Sequence, residues 1–141
     1  MAYQQSSVQA YRQTSVKTAT QGRVIVMLYE EALRQIDIAL DGIRSETRQL
    51  DRINNAIIKA QSIVTELMVS LDMESGGEIA SNLFRLYMYF NDRLMDGNVK
   101  KEEEPLKEVK NLMADLRDAW KQIENTAAGA RPSGGGVNIA G

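Results

Sequence analysis

Leu50, Ile53, Ile57, Ala60, Val64, Leu67 and Leu71 recur at alternating spacings of three and four residues, with no proline among them. That rhythm buries one continuous seam only if the segment is a long α-helix. The whole chain has two prolines, at 105 and 132, and no segment alternates between apolar and polar residues as a half-buried strand would. Of its 141 residues, 43% are hydrophobic and 26% charged, enough apolar material for one core and one domain. The expected fold class is all-α.

Four helices are expected. The first spans about Gln21 to Arg44, with Thr20 as candidate N-cap, and the second about Gln49 to Asp72. Residues Asp72 to Gly77 form the sharpest break, where Ser75 followed by Glu78 fits a capping box. The third helix runs from there to Asp96, with Gly97-Asn98 as its stop. The fourth begins around Lys101–Glu104, where glutamates and Pro105 suit the positive end of a helix dipole. Linkers this short make sequential helices antiparallel neighbours, so an up-down-up-down bundle roughly 35 Å long is expected over residues 20–127. Residues 1–19 are polar, with isolated Val8, Tyr11 and Val16, and read as an N-terminal arm. Residues 128–141 are rich in glycine and read as a disordered tail.

Composition narrows the chemistry. A net charge of −2 gives no electrostatic reason to bind nucleic acid or an anionic membrane. There is no cysteine and no histidine, which removes the thiol nucleophile, thiolate metal sites, and the commonest general base. Gly76-Gly77 lacks the Lys-Ser/Thr of a nucleotide loop, and the acidic runs Glu30-Glu31 and Glu102–Glu104 are explained by solvation or the dipole. Neither a secretory signal nor a membrane-spanning run is present. The expectation is a soluble cytoplasmic protein that is not an enzyme and carries no cofactor or metal.

The apolar surface exceeds what one core requires. On the fourth helix Leu106, Val109, Leu112, Met113, Leu116, Trp120 and Ile123 share a single arc. The second helix carries, beside its seam, a further set of Ile58, Met68 and Val69 interleaved with Asn54, Gln61 and Thr65. On the third, Ile79, Leu83, Leu86, Tyr87, Phe90 and Leu94 face inward, while Phe84, Met88 and Met95 form a separate line. The first is apolar almost all round from Val24 to Tyr29. A helix between two neighbours can bury a wide arc in both. Flexible methionines beside neutral hydrogen-bonding groups suit an adaptable binding surface instead. The candidate contact residues are Val8, Tyr11, Met27, Ile58, Gln61, Thr65, Met68, Phe84 and Met88, with the arm as a cover that an incoming partner displaces or as a permanent dock.

The run from Val16 to Tyr29, VKTATQGRVIVMLY, resembles the opening of the flagellin-specific export chaperone family. So do Ser70-Leu71-Asp72, Gly76-Gly77-Glu78-Ile79-Ala80, Asn82-Leu83, Leu86-Tyr87 and Ala119-Trp120, in that order, and Tyr11-Arg12-Gln13 in the arm. The chain departs from the family's habit at Glu30-Glu31 and at Met88. The resemblance implies an antiparallel bundle that binds the disordered C-terminal segment of flagellin, blocks its premature polymerisation and keeps it competent for type III export. It also implies further partners: an export-gate component, and anti-sigma or flagellar regulatory proteins. A homodimeric structural bundle and a multi-partner regulatory adaptor are the alternatives.

Overall fold

The computed structural model describes residues 21–130 of the chain, which hold four helices: α1 Gln21–Arg44, α2 Leu50–Val69, α3 Gly77–Lys100 and α4 Glu103–Ala130. Each helix packs on its sequential neighbour, and α1 also packs on α4, closing a square. Direction follows from contacts at the two ends. Gly22 approaches Glu124 at one end, and Arg44 pairs with Glu103 at 2.9 Å at the other. Up-down-up-down is therefore the observed order, and α1 ends at Arg44 as expected. Thr20, the candidate cap, lies outside the described residues.

The heptad seam is the core of α2. Ile53, Ile57, Ala60, Val64 and Leu67 are buried against Val24, Leu28, Ile36 and Leu40 of α1, Phe90 and Leu94 of α3, and Leu106, Val109 and Met113 of α4. Leu50 is exposed because it is the first residue of α2, beyond the last core layer. One polar bridge crosses the square. Tyr29 on α1 and Tyr87 on α3 meet hydroxyl to hydroxyl at 2.7 Å with their rings edge-on, both buried.

Burial raises the pKa of both phenols above the ordinary value near 10, and for Tyr29 the neighbouring Tyr87 raises it further. The folded state then holds these protons more tightly than the unfolded chain. Their contribution to stability is fully present below about pH 10 and is lost as pH rises beyond it. Urea midpoints measured at about pH 8 and about pH 11 should fall more steeply for the wild type than for Y29F/Y87F. Parallel declines would show that the pair is not the alkaline weak point.

Three helix boundaries differ from expectation, each for a local reason. Helix α2 stops at Val69, short of Asp72, because Ser70 Oγ turns back to the Leu67 carbonyl at 2.8 Å. The Ser75–Glu78 capping box does not form, and the N-cap position is Gly76. Ser75 gives its main-chain N–H (3.0 Å) and its hydroxyl (2.7 Å) to the Asp72 carboxylate instead. These bonds, the main-chain one first, hold that carboxyl below its usual range.

The third difference is at Gly97-Asn98, which does not stop α3. The helix continues to Lys100, and Lys101 takes the left-handed position at φ 53°. Glu102 N–H then bonds the Gly97 carbonyl at 3.2 Å, closing the helix end, while Lys101 Nζ bonds the carbonyl and side chain of Asn98.

Gly97 has a packing duty rather than a terminal one. A Cβ there would lie 2.7 Å from Leu106 Cδ2 and 3.0 Å from its Cγ, and Leu106 is fully buried. The missing side chain lets α4 start close against α3. Gly97→Val should cost roughly 2–3 kcal/mol by overpacking, read as a lower urea midpoint. Gly97→Ala should cost less, because its better helix propensity returns about 1 kcal/mol. A valine variant as stable as wild type would remove the close approach from the account.

Candidate functional site

The square closes differently on its different sides. Along α1 and α4 the surface is zipped by charge: Asp37 with Lys110 at 2.8 Å, and Glu30 within 4 Å of both Arg117 and Lys121. Along α2 and α3 the bridging groups are neutral amides and a hydroxyl. Asn98 Nδ2 donates to Asn54 Oδ1 at 2.8 Å. One heptad further along both helices, Gln61 Nε2 donates to the main-chain oxygen of Asn91 at 3.3 Å, and Asn91 Nδ2 donates to Thr65 Oγ1 at 3.2 Å. A second heptad step brings Met68 level with Phe84.

Outside this ladder the surface stays apolar and open. On α3, Met88 is 49% exposed, Met95 56% and Val99 76%; on α2, Val69 is 73% exposed. Ile58, Met68 and Phe84 are half-buried along the same two helices, and Met68 also packs against the core. The result is an apolar trough over the α2–α3 seam, with uncharged bridging groups and the exposed Asp92 at its rim, one turn from both Met88 and Met95. It persists because 24 residues of α3 can point only one arc at the core, and the arc toward α2 is wider than α2 can cover.

Six of the nine candidate residues are brought together there: Ile58, Gln61, Thr65 and Met68 on α2, and Phe84 and Met88 on α3. Gln61 and Thr65 already have hydrogen bonds to α3. Met27 is not part of this face. It is half-buried on α1, a helix that packs on α2 and α4. Val8 and Tyr11 lie outside the described residues.

Sequence reasoning missed Asn91. Among the described residues, its Oδ1 is the buried side-chain polar atom that has no hydrogen-bond partner. Leaving such an acceptor unmade costs about 1–3 kcal/mol. An asparagine next to apolar positions gives no signal in a helical pattern; only the register between α2 and α3 reveals it.

The α3–α4 flank corrects a second expectation. Their arcs predict Ile79, Leu112 and Ile123 in the core, yet all three are exposed. Helices α3 and α4 pack less extensively on each other than the other neighbouring pairs do, and these side chains are left in solvent. Glu108 braces this flank by accepting from Tyr89 Oη at 2.5 Å and Arg93 Nε at 2.7 Å. Those bonds, Tyr89 first, hold the Glu108 carboxyl below its usual range.

Among the described residues no group of three or more acidic, histidine or cysteine side chains could hold a metal ion, and no helix is long and apolar enough to cross a membrane. A small bundle with one apolar, methionine-lined face left open has the make-up of a protein-binding scaffold.

Comparison with known proteins agrees with that class. The family described as flagellar protein FliS matches residues 3–127. The chain is 35% identical to the flagellar secretion chaperone FliS of Bacillus subtilis, over 94% of this chain and 97% of that protein. It is 35% identical to the protein of the same name from Salmonella typhimurium, over 89% and 96%. It is 33% identical to the flagellar secretion chaperone FliSB of Pseudomonas aeruginosa, over 87% and 93%. The chain belongs to the FliS family of flagellar secretion chaperones, and its setting is flagellum biogenesis and export.

Proposed function

We propose that this chain binds the C-terminal segment of flagellin in the cytoplasm, holding it apart from other flagellins and in a state fit for type III export. The observation that carries this reading is the apolar trough over α2 and α3, where Met88, Met95 and Val99 stand open beside Ile58 and Phe84. An unfolded segment with apolar residues at helical spacing can lay that face into the trough and fold as it docks. Ile58, Met68, Phe84 and Met88 would supply apolar contact, while Gln61 and Thr65 line the floor. Coupled folding of this kind buries roughly 1,000–3,000 Å² and gives back roughly 2–5 kcal/mol to ordering, so binding is firm yet reversible. The arm residues Val8 and Tyr11 belong to the same proposal as a displaceable cover, and an export-gate component or a flagellar regulatory protein as later partners.

Co-purification tests it. A flagellin C-terminal fragment should be retained in stoichiometric amount, and flagellin lacking that fragment should pass through. Equal retention of both, or of neither, would refute the reading. Sedimentation of the chain alone should give a monomer; a stable dimer hiding Met88 and Met95 would favour a homodimeric bundle instead.

A further inference from the structure

Asn91 lies one turn from Met88 in one direction and one turn from Met95 in the other, on the α3 face that looks toward α2. Its polar groups are unevenly used. The main-chain oxygen accepts from Gln61, one end of the side-chain amide bonds Thr65, and the other end is buried with no partner. Turning the amide over would exchange which end is spent and still leave one end unmade. A seam whose only task was to hold two helices together loses by placing an amide here, where a leucine would leave nothing unsatisfied.

The surroundings suit a second partner for that amide. Met88 and Met95 flank it with long, flexible thioether chains that can swing aside without moving the backbone. The ladder residues Asn54, Gln61, Thr65, Asn91 and Asn98 carry no charge; the exposed Asp92, also one turn from Met88 and Met95, lies beside the gap, so the buried end of the Asn91 amide itself is best met by an uncharged group. A neutral group that can both donate and accept meets either end of the amide.

We propose that Asn91 sets the register of the bound segment. The docked helix places an Asn, Gln, Ser or Thr side chain over the gap between Met88 and Met95, completing the hydrogen bonding of the Asn91 amide, with apolar residues one turn to either side. A face that is apolar throughout would leave the amide unpaired and be rejected, so the polar position selects among otherwise similar amphipathic segments. This rests on the α2–α3 trough being the flagellin-binding face.

Calorimetric titration of the full chain with a flagellin C-terminal fragment tests the claim separately from the reading beneath it. Absence of binding by the wild type sinks the reading itself. If the wild type binds, Asn91→Leu should weaken the complex about tenfold while keeping a melting midpoint at or above that of wild type. In the fragment, alanine at one Asn, Gln, Ser or Thr should weaken binding to wild type by a similar factor and leave binding to N91L unchanged. Affinity of N91L within twofold of wild type, or no such coupled position, overturns the register role alone. Should N91L not fold, Asn91→Ser, which retracts the polar group, must show the same loss; retained affinity in that variant overturns the role equally.

Discussion

Glutamate at both Met88 and Met95 should weaken capture of the flagellin segment by about 100-fold or more and leave the bundle intact. Each methionine is about half exposed in the free protein, so docking has about 1 kcal/mol of burial left to gain at each. A carboxylate in its place would have to be buried unpaired, which costs more than the lost contact. Together these exceed the roughly 2.7 kcal/mol that a 100-fold change requires. Glutamate is a good helix former and both sites face water, so stability should change by about 0.5 kcal/mol or less per site. Titration of M88E/M95E with the flagellin fragment, alongside circular dichroism, reads both quantities. Undiminished affinity in a folded variant would remove α3 from the binding face.

Phe90→Ala should do the opposite: unfold the scaffold rather than blind it. Phe90 is two residues from Met88 but turned to the far side of α3, fully buried with its ring 6.2 Å from that of Tyr87. Truncating a core phenylalanine costs about 3–5 kcal/mol, a large share of the roughly 5–15 kcal/mol that such a domain has in total. The melting midpoint should drop by roughly 12–20 °C. Calorimetry decides it, and a drop below about 4 °C would mean that the core closes over the gap far better than its packing suggests. Below its new midpoint, the surviving folded fraction should bind client as the wild type does, because the trough residues are untouched.

What could be read from the sequence is what depends on one helix at a time. The heptad seam from Ile53 to Leu67 is buried because its spacing admits no other arrangement, and α1 ends at Arg44 as its pattern predicts. Met88 and Met95 stand out for the same reason, as an apolar line lying off the seam. What escaped depends on two elements meeting. Gly97 looked like a helix stop until Leu106 was seen against it. Ser75 looked like a cap, but Asp72 captured its hydroxyl and amide across the turn. Ile79, Leu112 and Ile123 lie on arcs that face a neighbour, and an arc does not say whether the neighbour reaches that far. The amide ladder needed the α2–α3 register, so Gln61 and Thr65 were visible as polar positions but their partners were not.

The contrast between the zipped α1–α4 side and the apolar α2–α3 trough has a consequence for the medium in which the protein works. Dissolved ions screen interactions between exposed charges over about 8–10 Å at ordinary ionic strength, and they do little to apolar contact or neutral hydrogen bonds. Changes in salt would therefore be felt at Asp37–Lys110 and Glu30–Arg117, pairs that add little to stability. The grip proposed for an apolar helix would hardly register them, so a rise in ionic strength would alter the outer surface of this scaffold without loosening the proposed contact.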